Sequence, residues 1–351
     1  MKNILPEVTN IEKEQELNRL ITRTESVAST EISFLRIAYQ QIAKILEDLG
    51  RHDEAIAYYL KLKIIELEFD DKTGLGYTYN NIGGIYFENG DWEMAYKNYM
   101  DAEQMFLTSN YDEGLGATYN NIGGYYIHKS DWKKALSFLL KSEERRLKCG
   151  DRKGLGTTYF NLGFVYSKLK DLSKALEYYL ESENLLVEFN EIENLKILFQ
   201  RISEIYSSIN DWRKTIDYYQ KLKEIEQKVG NKKGIGDALN YMGIASSNMG
   251  DFNKALEFHH QAEKIRSEIG DDSGLIQTLY NIGMEWLRIK NAEKAVDYFT
   301  LAGYIAKKKG MDFELKQMDW ALREIIKKHG QDGFMKLGEK RYESWLKQAK
   351  A

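Results

Sequence analysis

The sequence has a single proline, a single cysteine and no long apolar run. Because Pro6 is the only proline, no later residue is barred from a helix by a fixed ring. With Cys149 alone, no disulfide can form within the chain, which fits a reducing compartment. Nowhere do about 18 apolar residues follow one another, and the first residues lack an apolar signal-peptide core. We therefore expect a helical, cytoplasmic protein.

An excess of charge of either sign is also missing. The formal net charge is −4, and 30% of the residues are charged. Such a balance gives neither the basic surface that nucleic acid requires nor an attraction to anionic membranes. We expect partners of neither kind.

Groups of residues that carry catalysis or bind metals are scarce. His259 and His260 are the only adjacent histidines, but neighbours along a helix point about 100° apart and cannot chelate one metal together. The Gly-x-Ser-x-Gly elbow, paired Cys-x-x-Cys and His-Glu-x-x-His patterns are absent. We expect a protein that is not an enzyme, with no catalytic residues, no cofactor and no bound metal.

Glycine, in contrast, recurs at a regular spacing. The stretch GLGYTYNNIGGIY from Gly74 returns as GLGATYNNIGGYY from Gly114 and as GLGTTYFNLGFVY from Gly154, each 40 residues after the last. Tyr79 occupies the place of the third glycine in the dinucleotide fingerprint, and no Gly-Lys-Ser/Thr follows, which argues against a phosphate loop. A segment that recurs at a fixed period indicates a structural repeat.

Each repeat unit contains two helical patterns, here named the first and the second helix. Ile82, Gly83 and Tyr86 follow Tyr79 at i+3, i+4 and i+7, which is one face of a first helix. Gly90 tolerates a left-handed conformation, and Asp91 can cap the second helix. The same turn recurs at Ser130-Asp131, Lys170-Asp171, Asn210-Asp211, Gly250-Asp251 and Lys290-Asn291, with Gly50-Arg51 as its weakest copy.

Small residues recur in both helices of the unit, so we expect the two helices to approach closely. In the second helices they are Ala55, Ala95, Ala135, Ala175, Thr215, Ala255 and Ala295. In the first helices they are Ala43, Gly83, Gly123, Gly163, Ser203, Gly243 and Gly283. Aromatic residues fill the space beside them. His259 occupies one of these aromatic places, which favours a packed histidine over a metal ligand.

The unit resembles the tetratricopeptide repeat, whose motif has an aromatic, leucine, glycine and tyrosine in the first helix and alanine, aromatic and alanine in the second. The matching residues are Tyr79, Ile82, Gly83, Tyr86, Ala95, Tyr99 and Ala102. This resemblance covers residues 34–313 and implies an all-α, right-handed superhelical solenoid of helix-turn-helix repeats. The 40-residue unit is similar to the repeats of kinesin light chains, Pins-type adaptors and Rap-type peptide receptors.

Seven units follow from this period, between a polar helix in residues 1–33 and capping helices in residues 314–351. The units are residues 34–73, 74–113, 114–153, 154–193, 194–233, 234–273 and 274–313. The fifth is the most divergent, with Phe199, Ser203 and Thr215, and we favour drift over a local change in pitch. In the last segment, Tyr342 and Trp345 allow a dimer contact or a tail in the groove as alternatives to a cap.

The resemblance also implies a peptide site. In such a superhelix the first helices line the concave side, and in kinesin light chains and Pins-type adaptors a row of asparagines binds the backbone of an extended peptide. The corresponding places here are Gln41, Asn81, Asn121, Asn161, Arg201, Tyr241 and Asn281. An amide offers one acceptor and two donors, which suits a strand-like ligand of any sequence. The alternative is that these asparagines bond between adjacent units, and both can hold.

Neighbouring places would give the groove selectivity. Gly84 and Gly124 would leave hollows beside aromatic rings for apolar side chains, and positive charges could meet a carboxylate. The candidate residues are Asn80, Asn120, Tyr125, Phe160, Phe164, Lys168, Arg201 and Arg288. No clean copy of the carboxylate clamp of chaperone-binding repeats is present.

The sequence therefore predicts a non-enzymatic scaffold that binds an extended peptide or protein segment in its concave groove. An alternative is a ligand-responsive regulatory module, like a Rap-type peptide sensor that controls a partner enzyme. A third possibility is self-assembly through the solenoid ends, including oligomerisation through residues 314–351.

Overall fold

A computed structural model of the chain describes residues 4–26 and 32–311, which form fifteen helices and no strand. The helix that precedes the repeats is α1, Ile4–Ser26. The first helices are α2 Ile32–Asp48, α4 Lys72–Glu88, α6 Asp112–His128, α8 Arg152–Lys168, α10 Ile192–Ser208, α12 Lys232–Asn248 and α14 Asp272–Arg288. The second helices are α3 His52–Glu68, α5 Trp92–Thr108, α7 Trp132–Cys149, α9 Leu172–Glu188, α11 Trp212–Val229, α13 Phe252–Ile269 and α15 Ala292–Lys309.

The predicted all-α architecture of repeated helical hairpins is confirmed. Each first helix packs on the second helix that follows it, and α1 packs on α2. The chain divides into two compact units, residues 1–189 and residues 190–351, and each is described by itself below. The hairpins begin two residues before the predicted unit boundaries. The capping helices expected in residues 314–351, with Tyr342 and Trp345, lie outside the described residues.

A residue with left-handed backbone recurs every 20 positions and ends every helix of the hairpins. Gly90 has φ +80°, as its place in the turn predicted, and Lys170 adopts the same conformation with φ 66°. The next residue caps the following helix, since the Asp91 side chain accepts from Met94 N at 3.2 Å. The caps predicted at Asp91, Asp131, Asp171, Asp211, Asp251 and Asn291 are all present. Arg51 forms no side-chain cap, which agrees with its weak sequence match.

Glycine in the first helix makes room for a ring of the second helix. A Cβ placed on Gly83 would lie 2.6 Å from the Tyr99 ring and 3.2 Å from the carbonyl oxygen of Ala95. The expected small-to-small contact is therefore present, but the tighter contact is between the glycine and the aromatic ring. Gly163 stands in the same way against Tyr179.

The first two glycines of the recurring stretch have a packing role in helices and do not form a loop. Gly76 lies within α4, and a Cβ there would be 2.5 Å from the Phe106 ring. A Cβ on Gly114 of the next first helix would be 2.4 Å from the same ring. Phe106 thus packs between two successive first helices, which requires glycine on both sides.

His259 is buried in the place of an aromatic residue, as its position in the repeat predicted. Its side chain is 0% exposed, and a Cβ on Gly243 would lie 2.5 Å from the imidazole ring. Neither ring nitrogen has a hydrogen-bond partner within the described residues. Burial, with smaller contributions from His260 and two arginines, lowers the pKa of His259 to about 4.

We expect His259→Phe to stabilise the chain, by an amount that grows as the pH falls from 7 to 4. Phe299 already packs on Gly283 in this geometry. The unfolded histidine binds a proton near its ordinary pKa of about 6.5, whereas the folded one resists protonation down to about 4. The wild type should therefore lose up to about 3 kcal/mol over this range that the variant keeps. Urea unfolding at several pH values measures the difference, and a difference independent of pH would contradict this account.

Candidate functional site

The predicted row of amide side chains lies where successive first helices pack on one another. In residues 1–189, α4 packs on α6 and α6 on α8, and in residues 190–311, α12 packs on α14. Successive second helices pack on one another less closely. Within each unit the first helices therefore form the inner side of the stack, which is the side where the resemblance places a ligand.

Asparagines of this row are bonded in pairs across successive repeats. In residues 1–189, Nδ2 of Asn161 donates to Oδ1 of Asn120 at 3.0 Å. In residues 190–311, Nδ2 of Asn281 donates to Oδ1 of Asn240 at 2.9 Å. Nδ2 of Asn121 donates to Oδ1 of Asn80 at the longer distance of 3.4 Å. The bonding between adjacent units that the sequence left open as an alternative is thus present for these three asparagines.

These pairs leave hydrogen-bonding capacity unused. Each pair takes one of the two N–H donors of Asn121, Asn161 and Asn281, and their side-chain oxygens have no bonded partner among the described residues. All three side chains are half-buried. The row can therefore bind its neighbours and still offer donors and acceptors to a ligand.

Asn80, the partner of Asn121, differs from Asn120 and Asn240 because its amide nitrogen also has a bonded partner among the described residues. Its side chain is only 6% exposed, and its Nδ2 donates to Oγ1 of Thr118 at 3.0 Å. The Thr118 hydroxyl in turn donates to the carbonyl of Gly114 at 2.8 Å. This chain fixes the orientation of the Asn80 amide and presents its oxygen to Asn121.

Asn81 contacts the second helix of the preceding hairpin. The buried Tyr59 hydroxyl donates to Oε2 of Glu47 at 2.8 Å. Burial and the Glu47 carboxylate raise the pKa of Tyr59, while a hydrogen bond with Asn81 acts in the opposite direction. Gln41, one repeat earlier, is exposed on α2.

The hollows expected at Gly84 and Gly124 are open, because a Cβ on either glycine would meet no atom within 4 Å. The ring of Phe160 is half-buried, with its centroid 5.8 Å from that of Tyr179. Tyr125 is only 7% exposed, because its ring stacks on Tyr96 with centroids 4.7 Å apart. Asn80 and Tyr125 therefore present little surface to a ligand.

Two of the three predicted positive charges are already paired. Nη1 of Arg201 lies 3.0 Å from Oε2 of Glu204. Arg288 binds Glu285 and Ser247, and Glu285 is buried, which raises its pKa. Lys168 is exposed, and its Nζ lies 5.1 Å from the centroid of Phe164, whose ring also contacts Trp132.

A set of buried residues that our sequence analysis missed lies at the junction between hairpins. They occupy one position of the second helix at the 40-residue spacing, namely Glu66, Phe106, Arg146, Leu186, Glu226, Arg266 and Ala306, and all are buried. We name this the junction position. Four of its seven residues are charged, and burial raises the pKa of Glu66 to about 7. Aligning the repeats in phase, with charges at a position that elsewhere is apolar, would have found them.

Both junction arginines have nearby acceptors, although the buried Nε of Arg266 has no hydrogen-bond partner among the described residues and lies 3.7 Å from Oδ2 of Asp271. Nη1 of Arg146 lies 2.6 Å from Oδ2 of Asp151, and its Nε donates to Oγ of Ser142 at 3.3 Å. Nη1 of Arg266 donates to Oγ1 of Thr278 at 2.7 Å, and its Nη2 pairs with Asp237. Buried charges with such partners hold hairpins together without any ligand.

The described residues contain neither a group of metal ligands nor a helix that could span a membrane. Within residues 4–26 and 32–311, no three His, Cys, Asp or Glu side chains are grouped so that they could hold a metal ion. In the same part of the chain, every helix is too short or too polar to span a bilayer.

A family model of the tetratricopeptide repeat matches residues 34–108 and 114–186. The match covers hairpins whose helices, caps and glycine contacts are described above. These residues therefore form tetratricopeptide repeats. No curated protein matches its sequence.

Solved structures of repeat proteins are similar in fold. A signal-transduction ATPase with numerous domains and a tetratricopeptide repeat sensor, from Pyrococcus horikoshii, is 17% identical with a TM-score of 0.59; the match covers 97% of this chain but only 53% of that one. BtubC (BKLC) from P. vanneervenii is 16% identical with a TM-score of 0.53, over 63% of this chain and 90% of that one. A Rap protein complexed with competence and sporulation factor is 14% identical with a TM-score of 0.52, over 87% and 81%. At these identities the likeness shows the fold alone.

We expect Asn121→Asp to destabilise residues 1–189 by about 1–3 kcal/mol, and Asn161→Asp to cost less. The new carboxylate at position 121 would face the oxygen of Asn80, which cannot turn without losing Thr118. At position 161, the Asn120 amide can rotate and donate to the new carboxylate, since its Nδ2 has no bonded partner among the described residues. Urea unfolding of both variants is the measurement, and equal losses would contradict the fixed orientation of Asn80.

Proposed function

We propose that the chain is a scaffold without catalytic activity that binds an extended peptide or protein segment along the inner face of α4, α6 and α8. The observation that carries this proposal is the row of half-buried asparagines with unused donors and acceptors beside the open space at Gly84 and Gly124. The match of residues 34–108 and 114–186 to the tetratricopeptide repeat supports a protein-interaction scaffold.

The amide row suits the backbone of a ligand more than its side chains. An extended segment exposes alternating N–H and C=O groups, and one asparagine can serve either of them with its free donor and acceptor. Asn81, Asn121 and Asn161 occur at the same place of three consecutive first helices. A ligand that crosses these helices would therefore meet an equivalent amide at each step.

Selectivity would come from the residues between the amides. The open sites at Gly84 and Gly124 leave space for apolar side chains of the ligand, next to the half-buried ring of Phe160. Lys168 is exposed at the end of α8 and can meet a carboxylate. Binding would thus depend on the ligand backbone first and on a few apolar side chains second.

A peptide-responsive regulatory module is the second candidate. A Rap protein of this fold was solved in complex with competence and sporulation factor, which supports a bound factor on such a scaffold. The two functions predict different responses of the molecular dimensions to ligand. A rigid scaffold keeps its maximum dimension in small-angle scattering when ligand is added, whereas a sensor changes it.

We expect simultaneous replacement of Asn81, Asn121 and Asn161 by alanine to weaken peptide binding by about 100-fold, since each lost hydrogen bond in a desolvated groove costs about 1 kcal/mol or more. Peptides selected by the wild-type chain from a random display library are the probes. Affinity is measured by calorimetry, and circular dichroism checks that the helices remain.

Two controls distinguish hydrogen bonding to the ligand backbone from other effects of the triple replacement. Asn184→Ala removes an exposed amide from the second helix α9 and should leave affinity unchanged. N-methylation of alternate backbone nitrogens in the selected peptides should weaken binding to the wild type far more than to the triple variant. Equal affinity of the triple variant and the wild type would exclude the asparagine row from binding.

A further inference from the structure

A cavity of about 380 Å³ lies between α10, α11 and α12, within residues 190–311. Gln200 and Tyr241, exposed residues of two successive first helices, lie on its wall. Its volume is at the lower end of the range of small-molecule pockets, so it can admit one long side chain or a molecule of that size. It is separate from the groove proposed in residues 1–189.

The cavity lies where the fifth repeat departs from the glycine pattern of α4, α6, α8 and α12. In α4, α6, α8 and α12 the same helical place is held by a glycine that the junction residue covers, as Phe106 covers Gly76. In α10 this place is held by Lys196, which lines the cavity. The helices α10 and α12 also pack less closely than α12 and α14. A lysine in place of the glycine thus coincides with a gap between two first helices.

The junction residue Glu226 lines this gap, and one of its carboxylate oxygens has no hydrogen-bond partner among the described residues. It is 6% exposed, and its Oε1 lies 3.7 Å from Nζ of Lys196. Its other oxygen, Oε2, is buried and has no hydrogen-bond partner in the described part of the chain. A buried carboxylate oxygen without a donor is unfavourable, so a ligand that supplies a donor would gain from it.

The charges around the cavity determine the sign of that ligand. Three carboxylates line it, from Glu193, Glu226 and Asp237, against one cation, Lys196. Asp237 is already paired with Arg266, so the excess is one carboxylate. Lys196 is already shared between Glu193, at 3.0 Å, and Glu226. An anion would therefore face carboxylates and find no free cation on the wall, whereas a cation would find an excess of acceptors.

An aromatic face completes the site. Tyr241 is 45% exposed and lies parallel to Tyr219, with ring centroids 4.9 Å apart. Both tyrosines line the cavity together with the carboxylates. A planar guanidinium stacks on such a face and donates to carboxylates in a fork, which an alkylammonium cannot do.

We propose that this cavity binds a guanidinium group, supplied by an arginine side chain of a protein or peptide partner. The carboxylate of Glu226 accepts from the guanidinium, and Tyr241 stacks on its plane. This site goes beyond the proposed peptide groove, because it uses other residues and specifies the chemistry of one side chain. It does not require the asparagine row.

The probe is arginine capped as Nα-acetyl-arginine N-methylamide, added to the full chain and followed by calorimetry. We expect a Kd on the order of 1 mM. The matched control is the citrulline analogue, which has the same shape and no charge, and it should bind at least about tenfold more weakly. Agmatine carries the guanidinium group without a peptide backbone, so it tests whether the natural ligand is a free small molecule. Tighter binding of agmatine than of capped arginine would overturn the assignment to a partner side chain.

Three variants test the residues of the cavity. Glu226→Gln should lower the affinity for capped arginine about tenfold without changing that for citrulline. Lys196→Met removes the competing internal cation and should raise the affinity for capped arginine. Glu224→Gln, on the exposed side of the same helix, should change neither. A structural role alone would not move the two cavity variants in opposite directions.

The proposal fails if the chain binds capped arginine no better than citrulline at concentrations up to about 20 mM. It also fails if Glu226→Gln retains full arginine affinity while circular dichroism shows it folded. Because the probe is a single capped residue, these outcomes are independent of whether residues 1–189 bind a peptide.

Discussion

The left-handed residue that recurs every 20 positions is the constraint on which the rest of the structure depends. It ends each helix of the hairpins at 17 or 18 residues, so that the hairpins repeat every 40 residues. This period brings the same face of each first helix beside its neighbour. The bond between Asn161 and Asn120, 41 residues apart, is a direct result, as is the equivalent bond between Asn281 and Asn240. One residue inserted in a first helix would move every later side chain of that helix about 100° around its axis and break the asparagine bond that it makes.

The helices and turns could be predicted from the sequence because their causes are local. An aspartate after a left-handed residue caps the next helix wherever it occurs, and the structure has such caps at Asp91 and Asp131. The partner of Gly83 could not be predicted in the same way. Ala95 and Tyr99 lie four residues apart on one face of α5, so the pattern shows that both point at α4 but not which lies nearer.

For the candidate site, the sequence indicated which helices carry the residues but not what those residues contact. The row was expected on the first helices, and the asparagines do lie there. Their mutual bonds depend on the distance between successive first helices, which a pattern within one helix does not contain. Arg288 illustrates the same limit: its charge is evident in the sequence, but its pairing with Glu285 and Ser247 requires both α14 and α12.

The junction position shows that the same place between hairpins can hold either an aromatic or a charged side chain. Phe106 fills it with a ring, whereas Arg146 fills it with a guanidinium and meets Asp151 and Ser142 there. The arginine is tolerated because its donors have acceptors, and glycines on both sides leave room for either side chain. Glu226 lacks such a set of partners. Nζ of Lys196 lies near one of its oxygens, and the other has no donor among the described residues.

The divergence of the fifth repeat therefore has two parts. Ser203 and Thr215 are buried and bond to backbone carbonyls of their own helical turns, so they replace glycine and alanine without opening the core, as drift would. Lys196 does more, because it stands where α4, α6, α8 and α12 have a glycine and coincides with the cavity between α10 and α12. Drift, which the sequence favoured for the whole repeat, accounts for the first two residues. It does not account for a lysine that lines a cavity beside a buried carboxylate with one oxygen unpaired.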